Sequence, residues 1–140
     1  MSDKTFIDSN ILIYAYDLDA GPKHAKAAGI LESLWELNLG VLSTQVLQEF
    51  YVNVTRKIAR PLARKSARAI VEAYAIWCVN TTPDELMAAF QIEDDSRIGF
   101  WDALIVAVAV KAGARRILSE DLNPGRKFAG VRIENPFADA

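Results

Sequence analysis

Short apolar runs alternate with stretches of helical spacing along almost the whole chain, and that alternation leaves few folds open. Lys4–Asp8, Gly40–Ser43, Trp77–Asn80, Arg116–Ser119 and Val131–Ile133 read as strands, the last of them at a sheet edge. Between them lie segments with apolar residues three and four apart. Ser9–Tyr16 carries Ile11, Leu12, Ile13 and Ala15; Lys23–Asn38, after the Gly21-Pro22 break, carries Ala27, Ile30, Leu31, Leu34 and Trp35. Thr44 is placed to cap a helix bearing Val46, Leu47, Phe50, Tyr51 and Val54, and Pro61 separates it from another over Ala63–Ile76. A further helix runs through Leu86, Met87, Ala89 and Phe90 into a polar run, Glu93–Arg97 with Gly99, that reads as a loop. Asp102 opens the most apolar helix, which Gly113 ends. The pattern predicts an α/β domain with a mostly parallel central sheet of about five strands and helices on both faces.

A chain of 140 residues suffices for one such domain with a core that needs no disulfide or structural zinc. Cys78, the single cysteine, reads as a core thiol, and His24, the single histidine, as a surface residue at a helix start. The Met1-Ser2-Asp3-Lys4 start lacks a signal-peptide layout, and Ala103–Val110 is far short of the roughly 20 residues that span a bilayer. A cytoplasmic location with no membrane role is the expectation. The 16 basic and 18 acidic residues leave a net charge of −2, which excludes binding to nucleic acid by bulk charge alone. Charge is nevertheless segregated. From Phe50 to Val71 there is no acid, while Arg56, Lys57, Arg60, Arg64, Lys65 and Arg68 supply cations suited to RNA phosphates, to an acidic protein partner or simply to a solvated helix face.

Four acids stand where such a domain has least use for charge: Asp8, Glu49, Asp102 and Asp121. Each closes or interrupts an apolar run, and an unpaired carboxylate in those surroundings is costly. A hard divalent cation would offset the cost, since carboxylate oxygens suit Mg²⁺ or Mn²⁺ and such ions suit phosphate chemistry. In parallel sheets the site lies beyond the carboxyl ends of the strands; Asp8 and Asp121 follow strands and Asp102 starts a helix, so three distant segments point to one edge. Glu49 joins them if its helix begins there. Ser9, Asn10 and Ser119 have short side chains able to orient carboxylates or water. Simpler roles compete: a helix cap for Asp8 or Asp102, a solvated helix position for Glu49, an ordinary turn for Asp121. Receiver and phosphatase domains also gather acids at strand ends, but Asp8-Ser9-Asn10 matches neither the adjacent acids of the one nor the Asp-x-Asp of the other.

Four blocks in order, Phe6-Ile7-Asp8-Ser9-Asn10-Ile11, Gln48-Glu49-Phe50, Phe100-Trp101-Asp102-Ala103-Leu104-Ile105 and Leu118-Ser119-Glu120-Asp121-Leu122-Asn123, resemble the acidic blocks of the PIN-domain family. With the closing Gly130-Val131-Arg132-Ile133 and Asn135-Pro136-Phe137, the chain is most similar to VapC-type toxins of bacterial toxin–antitoxin modules. The resemblance implies a single PIN-like domain over 1–140 and a Mg²⁺-dependent endoribonuclease, with Mn²⁺ as substitute. Asp8, Glu49, Asp102 and Asp121 would hold metal and activate water, with Asn10 and Ser119 supporting them. Some relatives add an acid, for which Glu120, Asp94 and Asp95 are the nearby residues. It also implies an RNA substrate, a VapB-type antitoxin whose C-terminal segment reaches the acidic site, and a homodimer. The competing expectation is a non-catalytic PIN-like module that binds RNA or protein through the Arg56–Arg68 patch.

Overall fold

The computed structural model describes residues 3–138. Six strands, β1 (Thr5–Ile7), β2 (Gly40–Ser43), β3 (Cys78–Val79), β4 (Arg116–Leu118), β5 (Lys127–Phe128) and β6 (Val131–Glu134), form one sheet in the order β3-β2-β1-β4-β6-β5. All neighbours are parallel except β5 and β6. The helices are α1 (Ser9–Tyr16), α2 (Pro22–Leu37), α3 (Thr44–Arg56), α4 (Arg64–Tyr74), α5 (Pro83–Ser96) and α6 (Phe100–Lys111). β1 and β2 are buried throughout, as strands covered on both faces must be, and α6 is buried on nearly every side from Ala103 to Ala109. No helix among the described residues is long and apolar enough to cross a membrane.

The chain leaves β1 toward β2 on one side and later returns to place β4 on the other, so the strand order reverses between β1 and β4. Such a switch point opens a crevice beyond the strand carboxyl ends, because the connections depart to opposite faces. Phe6 lies beside Ile117 and Ile7 beside Leu118, and the Asp8 amide donates to the Leu118 carbonyl at 3.0 Å. That register carries Asp8 to the level of Ser119.

Several expectations are corrected. The sheet has six strands, and β6 is interior: the edge is β5, turned back by Ala129 and Gly130, both at positive φ (51° and 85°) as a two-residue hairpin requires. Glu93–Ser96 is helical rather than a loop, because α5 starts from a Thr82–Glu85 capping box with Pro83 in its first turn, and the Gln91 amide donates to Asp95 one turn on. Asp102 does not open α6; Gly99 is its N-cap and Asp102 sits in the first turn. Ser43 rather than Thr44 caps α3, its hydroxyl accepting from the Val46 amide. Trp77 belongs to a 3-10 turn, Ala75–Trp77, and lays its ring over Gly40, where a Cβ would come within 2.5 Å of the indole. Cys78 and His24 are both half-buried, the His24 ring Nδ1 standing 3.0 Å from the Tyr14 carbonyl.

Candidate functional site

Asp8 follows β1 and forms the N-cap of α1, its Oδ1 accepting from the Ser9 amide at 2.7 Å. Capping uses one oxygen only. The other, Oδ2, accepts from the Ser119 hydroxyl at 2.7 Å, and that hydroxyl in turn accepts from the Asp121 and Leu122 amides at 3.1 and 3.3 Å. Ser119 is thus saturated, which fixes its proton on Asp8. Asn10, in the first turn of α1, spans the crevice: its Nδ2 donates to Asp121 Oδ2 at 3.1 Å and, at 3.5 Å, to Asp8 Oδ2, while its Oδ1 accepts from the Glu120 amide at 3.1 Å. These contacts lock the ends of β1 and β4 together around two carboxylates.

Burial pushes the Asp8 carboxyl up to about 6, against the pull of the Ser119 hydroxyl and Ser9 amide; the Glu49 and Asp121 carboxylates add repulsion in the same direction as burial. Asp102 is raised as well, by burial first and by Asp121 second. Asp8 thus feels the charge of Glu49 and Asp121, and Asp102 that of Asp121, although 113 positions separate Asp8 from Asp121. None of them forms an ion pair among the described residues. The paired acids are others: Glu120 with Lys23, Asp19 with Arg60, Glu85 with Lys111, and Glu134 with Arg116 and Arg132. Electronegative but uncompensated, the edge is suited to a cation. No three His, Cys, Asp or Glu side chains among the described residues stand close enough together to hold a metal ion as they are placed, so the acids share an edge without forming a preformed site.

Glu120, adjacent to Asp121 in sequence, points elsewhere: Lys23 and the Tyr14 hydroxyl both donate to it, and the two contacts hold its carboxyl below the usual range against the opposing effect of burial. Asp94 and Asp95 are exposed on the last turn of α5, and neither contributes to the shifts of Asp8 or Asp102. The basic residues lie along the end of α3 and the start of α4, all exposed. Arg60 forks onto Asp19 at 2.9 and 3.1 Å, and Arg68 packs over Tyr51, 5.9 Å from the ring centre, and donates to its hydroxyl. Trp101, one residue before Asp102, had no assigned role from sequence, yet its side chain is 63% exposed. An apolar residue flanking a first-turn acid carries no signal of which way its ring points.

Solved structures with the same fold include a toxin–antitoxin complex from Klebsiella pneumoniae (18% identity, 95% of this chain and 98% of that one, TM-score 0.69). The sarcin–ricin loop cleaving toxin VapC20 of Mycobacterium tuberculosis matches at 23% identity over 91% of this chain and 98% of that one, TM-score 0.64. VapBC2 of Rickettsia felis, bound to a DNA fragment from its promoter, matches at 17% identity over 94% and 97%, TM-score 0.65. No curated protein matches the chain. The PIN domain family matches residues 5–129, which contain all four acids, and the chain belongs to that family.

Proposed function

We propose that the protein is a Mg²⁺- or Mn²⁺-dependent endoribonuclease acting as the toxin of a type II toxin–antitoxin module. The single observation that carries this reading is the set of unpaired carboxylates at the β1/β4 switch point, with Asp8 strained upward by burial and by its acidic neighbours. The donor set is all oxygen, which fits a hard cation and not zinc in a thiolate or imidazole site. Asp8, Glu49, Asp102 and Asp121 would hold it. Bound there, such a cation supplies a water of lowered pKa and neutralises charge developing on a phosphodiester.

The chain's own groups do the rest. Ser119 and Asn10 hold the Asp8 and Asp121 carboxylates in fixed rotamers, so their charge is oriented before substrate arrives. With the only histidine donating its ring to the Tyr14 carbonyl, acid–base work falls to carboxylates and water. Arg56, Lys57, Arg60, Arg64, Lys65 and Arg68 provide a surface for RNA phosphates. An antitoxin as partner is supported by the neighbouring fold relatives, several of which are toxin–antitoxin complexes. The apolar cleft between α3 and α4, lined by Leu47, Tyr51 and Val71 and edged by Arg68 and Glu72, suits its apolar segment. A homodimer completes the reading.

The test is cleavage of total RNA by the purified chain in EDTA, then with Mg²⁺ or Mn²⁺ added. Cleavage is expected only with the ion, and neither Asp8→Asn nor Asp102→Asn should cut. Equal cleavage by both variants would overturn the reading.

A further inference from the structure

Between α3, α6 and the loop from β3 to α5 lies an open cleft of about 590 Å³ whose lining includes Gln45, Gln48, Asn80, Thr82, Trp101 and Leu104. We propose that it receives one unpaired base of the RNA, next to the phosphodiester presented to the acids, with the base stacked on Trp101 and its edge read by Gln45, Gln48 and Asn80. This rests on the ribonuclease reading and deepens it.

The lining decides what kind of group fits. None of these residues is charged, so the cleft is not built for phosphate. It instead combines a π face, an apolar floor at Leu104 and carboxamides that both donate and accept, the combination that suits a neutral planar ring with hydrogen-bonding edges. Its volume falls within the roughly 300–1,000 Å³ of small-ligand sites. Trp101 is 63% exposed, and the Phe100 ring meets it edge-on at 5.2 Å between centres, which steadies the indole while leaving surface free.

Position ties the cleft to the chemistry. One wall is α6, where Trp101 directly precedes Asp102. Another is α3, where Gln45 stands one turn before Glu49 on the same helix face. A base in the cleft would therefore bring its own phosphate to the acidic edge. The third wall, the loop from β3 to α5, is already fixed. Lys111 donates to the Asn80 carbonyl at 2.9 Å, and the Thr82 amide and hydroxyl both donate to Glu85, at 2.7 and 2.8 Å. Little ordering remains to be done on binding. Base-on-aromatic stacking tolerates any base, whereas the carboxamides give it a preference.

The experiment measures binding apart from cleavage. The full chain carrying Asp8→Asn is titrated with single-stranded RNA dodecamers of mixed sequence, each holding one 2-aminopurine, whose fluorescence falls on stacking. Quenching at one position of the oligonucleotide is expected. Trp101→Ala should abolish it and weaken binding about tenfold, Trp101→Phe should retain most of both, and Gln45→Ala with Gln48→Ala should weaken binding without removing the quench. Unchanged quenching and affinity in Trp101→Ala, or no RNA binding at all, would overturn the proposal. Should the parent chain bind and quench yet cleave nothing with Mn²⁺, the cleft stands and the nuclease reading falls. Metal-dependent cleavage indifferent to Trp101 and Gln45 would do the reverse.

Discussion

The Ser119 hydroxyl donates to the Asp8 carboxylate at 2.7 Å across 111 positions of chain, and this bond joins the ends of the two strands between which the sheet order reverses. Because the same hydroxyl accepts from two backbone amides, it has no proton to offer elsewhere and no freedom to turn away. The bond favours the ionised form of Asp8 against burial, so it offsets part of what the surroundings do to neutralise that carboxylate.

Removing that hydroxyl should therefore weaken ion binding more than it disturbs the fold. In Ser119→Ala the Asp8 carboxyl rises further, and affinity for Mn²⁺, measured by calorimetry at pH 7, is expected to fall about tenfold, as for other groups that orient metal ligands. The deficit should shrink at pH 8.5, where Asp8 is ionised with or without Ser119. Equal affinity at pH 7 would show that the hydroxyl serves the turn alone.

Asp8 itself is expected to cost stability when no cation is bound. Its folded pKa, about 6, exceeds the ordinary 3.8, so the folded chain holds more protons than the unfolded chain between those values, and stability falls as pH rises through that window. Asparagine keeps the side-chain oxygen that caps α1 and removes the charge. Asp8→Asn should thus be more stable than the parent in EDTA at pH 7.5, by up to about 3 kcal/mol for a shift of this size, less the bond lost where its amide meets the Ser119 hydroxyl. The gain should vanish near pH 4, and Mn²⁺ should raise the melting temperature of the parent but not of the variant. A variant less stable at pH 7.5 would mean that the lost Ser119 bond outweighs the cost of burying the charge.

Glu85 behaves in the opposite sense. Its carboxylate accepts from the Thr82 amide and hydroxyl and from Lys111, and these contacts, the amide first, hold it down at about 2. A depressed folded pKa stabilises above the unfolded value and is lost as pH falls from about 4.5 toward 2. Glu85→Gln should lower the melting temperature at pH 7, where the capping box of α5 loses its charge and the ion pair to Lys111 of α6 is lost. At pH 2 the two proteins should melt together. A difference that persists undiminished at pH 2 would assign the loss to packing.

What could be read from sequence followed from burial. Thr5–Ile7 and Gly40–Ser43 are continuous apolar runs because both faces of a parallel strand are covered, and an acid just after such a run is conspicuous, as Asp8 and Asp121 are. The pairing of those acids was not legible, since Asn10 and Ser119 have the same short side chains whether they cap a helix or bridge a crevice. Local rules also failed where tertiary contacts decide. Lys127–Phe128 is too short to show a period, and its turn places Ala129, rather than the usual Asn or Gly, at positive φ. Glu120 neighbours Asp121, but Lys23, 97 positions away, draws it off. The polar end of α5 stays helical through the cap that starts the helix at Thr82 and through the bond from Gln91 to Asp95 one turn on.

The cations from Arg56 to Arg68 admit a sharper distinction. Arg60 is committed to Asp19 and Arg68 to Tyr51, whereas Lys57, Arg64 and Lys65 form no ion pair among the described residues, and Arg56 already sits in the last turn of α3, where a cation is favoured by the helix dipole. Lys57, Arg64 and Lys65 are thus the residues whose charge the fold does not use. If they meet RNA phosphates, the variant Lys57→Gln/Arg64→Gln/Lys65→Gln should bind single-stranded RNA more weakly, and the slope of log affinity against log salt should flatten by about 0.7 per lost contact. Because phosphate contacts far from the reacting bond hold ground state and transition state alike, KM should rise while kcat stays within about twofold. The melting temperature should not move, since exposed charges without partners contribute little to stability. An unchanged salt slope would release the patch from RNA and leave it to an acidic protein partner, measurable as lost binding to the antitoxin in the same variant.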